Sequence, residues 1–325
     1  KNNAAQHYES GWAAMEKKDY TTAVNEFQQV IDQNSRLAES YRAEGIAYYS
    51  EKAYPEAIAA FSRSLNNMDD PDKEFKKDVQ FYLAQARMDY GEVDKAIEVY
   101  SEILKAGEDE QAFFLRGKAY ISMEDYKNAE KDFQRALEGC EDYNLYINIY
   151  QIYVDHNKAV DGDAYLKMAL ELEPQDGEDC YHRGRIYEYE KNYEAARDEL
   201  KTAMEQGYED AMLLLGRVYL EMEDPASARS MYQEYLQKSE QGAKAYNGLA
   251  MCDIYDGAYD SALENIAQGL KENSKEDEQG LLYNEIVAYE YKRDFATAKE
   301  KMKIYLEQYP EDEAALRENE FLSTR

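Results

Sequence analysis

The residues whose types could do chemistry in this chain are three histidines, three cysteines and one cluster of short polar and acidic side chains. His7, His156 and His182 show no HExxH or comparable metal spacing. Cys180 and His182 stand two apart in CYHRGR. On a helix such neighbours point in different directions, so neither a nucleophile–base pair nor a shared metal grip follows. Cys140, Cys180 and Cys252 are far apart, form no CxxC, and read as buried thiols rather than a disulfide framework. Asp155, Asn157, Asp161 and Asp163 in DHNKAVDGD have the composition of a calcium loop, but the glycine falls at the wrong offset and no glutamate closes the set. Neither GxxxxGK[ST] nor GxGxxG occurs, so no phosphate loop is written. The sequence predicts no enzyme, no metal site and no cofactor. Recognition of a partner is the remaining chemistry.

Composition narrows the partner. The 325 residues carry 38 basic and 68 acidic side chains, a net charge of −30. Such a surface repels phosphate backbones and anionic lipid, which argues against nucleic acid as a partner. No run approaches the roughly 18 consecutive apolar residues that a membrane-spanning helix needs. With 44% hydrophobic residues, only 16 Gly and 5 Pro, the chain can build a core, and it predicts helices.

Those helices follow a period. A small residue recurs as Ala23, Ala57, Ala96, Ala129, Gly162, Ala196, Ala228, Ala262 and Ala298, at spacings of 34, 39, 33, 33, 34, 32, 34 and 36. Only a small side chain lets two helix backbones approach closely, so this position predicts a helix crossing. A second small slot lies 12 residues earlier, filled by Gly11, Gly45, Ala84, Gly117, Gly184, Gly216 and Ala250, and broken by Tyr150 and Ile286. Four residues after the first slot stand Phe27, Phe61, Tyr100, Phe133 and Tyr232, or a smaller apolar substitute. Tyrosines recur before and at the turn between, as in Tyr120 and Tyr126 or Tyr187 and Tyr193.

This pattern resembles the tetratricopeptide repeat family over about residues 4–310, with departures. The closing proline appears only as Pro174 and Pro310, the leading tryptophan is generally Tyr, and the fifth repeat is the most degenerate. The resemblance implies an all-α fold: a right-handed α–α superhelical solenoid of about nine helical hairpins, forming a single domain over 1–325. Repeats are expected to start near 4, 38, 77, 110, 143, 177, 209, 243 and 279, with a capping helix and tail over 311–325. Residues 66–77, NNMDDPDKEFKK, carry the excess between repeats two and three and predict a bend there. The acidic runs DDPD and KEDE read as solvated loops.

In the family it resembles, the first helices of successive repeats line a concave groove that holds a peptide or partner helix. The residue after the second small slot faces that groove, and it reads Trp12, Ile46, Gln85, Lys118, Gln151, Arg185, Arg217, Met251 and Val287. Nearby slots add Phe114, Asn148, Tyr181, His182 and Lys244. The expected site is Lys118, Asn148, Gln151, Tyr181, Arg185 and Arg217, offering cations and amides to an acidic or C-terminal segment of a protein or peptide. The alternative is that each base pairs with a nearby acid such as Glu188 or Glu221. The Lys and Asn pattern of a two-carboxylate clamp is absent from the first three repeats, which hold Tyr8, Trp12, Arg42, Phe81 and Gln85.

Two other functions fit a repeat chain: a structural assembly module, and an accessory subunit of a cell-envelope enzyme or transporter. A concave cluster of unpaired bases favours binding, and a large apolar end patch favours assembly. The first repeat begins within a few residues of Lys1. The expectation is an exported precursor with a membrane tether, in a bacterial-type envelope, with a cytoplasmic location as the alternative. Oligomeric state is not legible.

Overall fold

The computed structural model describes residues 2–68 and 72–325, and the described residues fold into nineteen α-helices. They fall in two compact units, Lys1–Tyr165 and Leu166–Arg325. The first unit begins with α1 (Asn2–Glu16) and α2 (Tyr20–Asp32), then α3 (Leu37–Ser50) and α4 (Tyr54–Asn66). It continues through α5 (Lys73–Tyr90) and α6 (Val93–Ala106), α7 (Glu110–Ser122) and α8 (Tyr126–Ala136), to α9 (Tyr143–Asp155). Helix α10 (Ala159–Leu170) spans the boundary. The second unit pairs α11 (Gly177–Tyr189) with α12 (Tyr193–Glu205), and α13 (Ala211–Glu221) with α14 (Pro225–Lys238). It ends with α15 (Ala243–Tyr255) and α16 (Tyr259–Lys271), α17 (Lys275–Tyr291) and α18 (Phe295–Gln308), and α19 (Glu313–Ser323). Within each unit successive helices pack together, α8 on α9 through the Phe133 and Tyr153 rings and α9 on α10 through Tyr153 and Tyr165, so each is a stack of hairpins of the α–α solenoid type. Asp69, Asp70 and Pro71, at the centre of the expected bend and in one of the two acidic runs, lie outside the described residues.

The turn inside each hairpin is built the same way nine times. Lys18, Lys52, Gly91, Glu124, Asn157, Lys191, Glu223, Gly257 and Arg293 all adopt φ between 57° and 88°. The following residue donates its N–H back five residues, as Asp125 to the Tyr120 carbonyl at 2.9 Å and Asn192 to the Tyr187 carbonyl at 2.8 Å. This left-handed closure satisfies carbonyls that the helix end would leave open. The same Asp or Asn then caps the second helix: Asp125 accepts from the Asn128 N–H at 3.2 Å and Asp224 from the Ser227 N–H at 3.0 Å. Asn157 occupies this turn between α9 and α10, which accounts for the loop-like spelling DHNK.

Packing explains the two small slots. All nine residues of the first slot are buried. At the second slot, a Cβ on Gly45 would sit 2.6 Å from the Phe61 ring, and one on Gly117 2.7 Å from the Phe133 ring. The missing side chain is the seat for the aromatic wedge of the partner helix, and Phe27, Phe61 and Phe133 are fully buried. At the C-terminus Ala315 and Leu322 of α19 are fully buried against Ile286, Ala298, Met302 and Tyr305.

Candidate functional site

The first helices of the second unit's hairpins enclose a groove of about 960 Å³, lined from α11, α13, α15 and α17. The helical period sets its floor. Tyr181, Leu213 and Asn247 each lie three residues before the second small slot of their repeat, and all three line the groove. Arg217 and Met251 lie one residue after that slot and line it too. Asn284 donates from Nδ2 to Asn247 Oδ1 at 2.8 Å, so the Asn247 amide oxygen is engaged from α17.

Tyr232 reaches the groove from behind. Its ring comes from α14 and is wedged between two glycines: a Cβ on Gly216 would lie 2.6 Å from its Cζ, and one on Gly248 2.5 Å from its Cε2. Because neither glycine has a side chain, the phenol tip passes between α13 and α15 to the groove wall. Burial pushes its hydroxyl well above the usual range, so it is a proton donor at any physiological pH.

The groove carries charges of both signs. Arg185, Arg217 and Lys244 come from three consecutive first helices, and all three act electrostatically on the Tyr181 hydroxyl. Burial raises that phenol's pKa, Asp210 raises it further, and the three bases pull against the rise. Tyr181 itself is fixed by the Tyr208 ring at 4.9 Å between centroids.

The three bases are not equally engaged. Arg217 makes a fork with Glu188, Nε to Oε1 at 2.6 Å and Nη2 to Oε2 at 2.7 Å. Burial alone would lower the Arg217 pKa, and the Glu188 hydrogen bonds and charge more than offset it. Lys244 meets Glu276 at 3.0 Å, an exposed pair. Arg185 has no carboxylate partner within ion-pair distance among the described residues. Its Nη1 donates to His182 Nδ1 at 3.3 Å and its guanidinium lies 6.0 Å from the Tyr181 ring centroid. With the lone pair on Nδ1 accepting from Arg185, the neutral His182 ring carries its proton on Nε2, which lies 3.7 Å from Glu178. Five acids, Asp210, Glu221, Glu272, Glu276 and Asp277, also line the groove.

Of the six residues expected from sequence, Tyr181 and Arg217 line the groove, and Arg185 stands beside the Tyr181 ring without being among the lining residues. Lys118 on α7, and Asn148 and Gln151 on α9, belong to the first unit. There Lys118 and Asn148 are exposed, and Gln151 donates to Asp155 on its own helix at 2.9 Å. The pairing alternative holds for Arg217 through Glu188. Lys244 was legible as a neighbour of the site but not as a member, and Asn247 was missed. The row three residues before the small slot carries the signal for Asn247.

The sequence pattern of the tetratricopeptide repeat family matches residues 8–72, 181–243 and 213–278, more than half of the chain. A second pattern of the same description matches residues 110–142. No curated protein sequence matches. Among solved structures, YrrB, a TPR protein with an unusual peptide-binding site, is 26% identical, covering 58% of this chain and 97% of YrrB with a TM-score of 0.38. A tetratricopeptide repeat protein from Parabacteroides merdae is 16% identical over 88% of this chain and all of its own (100%), with a TM-score of 0.47. Yeast Tom70 is 15% identical over 94% of this chain and 78% of its own, with a TM-score of 0.49.

Proposed function

Because the chain belongs to the tetratricopeptide repeat family, a family of protein-interaction scaffolds, we propose that it is a non-enzymatic scaffold gripping an acidic or C-terminal segment of a partner protein in its groove. The carrying observation is that Tyr181, Arg217 and Lys244 line one groove, with the Arg185 guanidinium beside the Tyr181 ring, in a protein of net charge −30. Tyr181 donates a hydrogen bond, and Arg185 offers a guanidinium with no carboxylate within ion-pair distance among the described residues. The amides of Asn247 suit the backbone of an extended segment. The five lining acids favour a single terminal carboxylate over a long acidic tract, because a tract would meet as much repulsion as attraction. In the first unit, taken by itself, Lys118, Asn148 and Gln151 offer a cation and amides of the same kind.

Affinity capture from the source cell tests this, comparing wild type with Arg185→Glu. A charge-assisted hydrogen bond contributes about 1.5–3 kcal/mol, and a micromolar complex has only about 8 kcal/mol in all. The folded variant is expected to lose the captured partner, and wild-type capture is expected to weaken with salt. Equal capture by both proteins removes the groove reading. An assembly module is the second reading, favoured by the exposed Tyr255 and by the stacked Tyr259 and Tyr291 rings, 5.9 Å between centroids.

A further inference from the structure

The terminal helix meets the last hairpin through two carboxyl groups. Glu290 stands in the last turn of α17, and its Oε1 is shut off from solvent with no hydrogen-bond partner among the described residues. Glu290 lies one turn beyond Ile286, and Glu318 one turn beyond Ala315, on the faces through which α17 and α19 pack, so the two carboxyls face each other and Glu318 acts on Glu290. Neither acid has a base within ion-pair distance among the described residues, and the nearby bases are engaged elsewhere. Arg317 of α19 turns to Glu313 at 3.7 Å, Lys301 of α18 pairs with Glu285 of α17 at 3.0 Å, and Lys299 of α18 donates to the Arg325 carbonyl at 2.7 Å. The other titratable groups facing the pair are the Tyr283 phenol of α17, which feels both glutamates, and Asp312, which accepts from the α18 phenol of Tyr305 at 2.6 Å. Two ionised carboxylates repel, so the pair coheres only when one proton is shared between them. Burial first, and then Glu318, push the Glu290 carboxyl up to about 7.

We propose that the docking of α19 onto the α17–α18 hairpin is held by a proton shared between Glu290 and Glu318, which makes the terminal helix a proton-controlled cover. What it covers is apolar: Ile286, Met302 and Tyr305 beneath Ala315 and Leu322. A carboxyl whose docked value is raised stabilises docking fully below the 4.5 of a free glutamate, and that contribution is gone once pH has risen through about 7. The cover therefore tightens under mild acid and loosens under neutral to alkaline conditions.

Amide hydrogen exchange of residues 313–323 in the full chain tests this, corrected for intrinsic exchange, from about pH 5 to 8. One linked proton sets a ceiling of about tenfold per pH unit, so protection is expected to fall about three- to tenfold per unit between 5 and 7 and then level. Glu290→Gln carries a permanent N–H donor toward Glu318 and is expected to give flat protection at or above the wild-type level at pH 8. Glu318→Gln is the second variant and is expected to flatten the profile likewise. Carbon-13 titration of the Glu290 carboxyl should report a midpoint near neutrality. A flat wild-type profile, a slope that survives in both variants, or a Glu290 midpoint near 4.5 overturns the proposal.

Discussion

Gly248→Ala isolates the wedge on which the groove depends. A methyl group there would lie 2.5 Å from Cε2 of Tyr232 and nearer still to Cζ and Cε1. Ordinary carbon contacts lie at about 3.5–4.0 Å, so the ring must retreat by about 1 Å or more. It has nowhere easy to go, because Gly216 closes the opposite side with a Cβ position only 2.6 Å from Cζ. Overpacking of this kind costs about 1–3 kcal/mol, and the upper half of that range is expected for a ring held on both faces. Removing the ring reverses the sign. In a Tyr232→Ala background the new methyl has room, and Gly to Ala inside a helix then stabilises by about 0.5–1 kcal/mol. The coupling between the two sites should thus reach about 2–4 kcal/mol. Urea unfolding of the four proteins, with hydrogen exchange to localise the loss to α13, α14 and α15, measures it. Gly248→Ala at wild-type stability, or equally destabilising with and without the ring, would refute the wedge.

Three further outcomes are expected. Glu124 holds φ of 58° at an exposed turn, and Glu124→Gly should raise stability by up to about 1 kcal/mol in thermal or urea unfolding, since glycine adopts that backbone freely. The capping carboxyls of Asp19, Asp224, Asp294 and Asp312 are held below the usual carboxylate value of 3.8, the first three by side-chain and backbone hydrogen bonds from Thr22, Ser227 and Thr297, and Asp312 foremost by the Tyr305 hydroxyl. Their contribution is present above that value and lost as pH falls through the depressed one, so helicity by circular dichroism should drop below about pH 4, less steeply in the corresponding Asp→Asn variants. With a net charge of −30 the chain repels itself, and Tm should rise as salt is added up to about 0.15 M; a steady fall would show that attractive pairs dominate.

The sequence by itself determined the helices, their pairing and their turns, because these depend on contacts that recur at a fixed separation. Ala129 and Phe133, four apart, and Gly117, 12 before Ala129, meet within one hairpin, so the period alone places them. It also predicts Arg185, Arg217 and Tyr181 at groove-facing positions, of which Arg217 and Tyr181 line the groove. The tertiary structure decided what those positions do. Arg217 is held by Glu188, 29 residues away on the preceding first helix, while Arg185 has no acid within ion-pair distance among the described residues. Whether a long side chain finds a carboxylate depends on rotamers and on the offset between adjacent helices, and neither is written in the period. Asn247 gains its role from Asn284, and Glu290 its raised carboxyl from Glu318, each across helices that the repeat aligns only approximately. Gly248 shows the same division. Its neighbourhood already supplied a small residue at Ala250, and only the path of the Tyr232 ring between α13 and α15 shows why a second was needed.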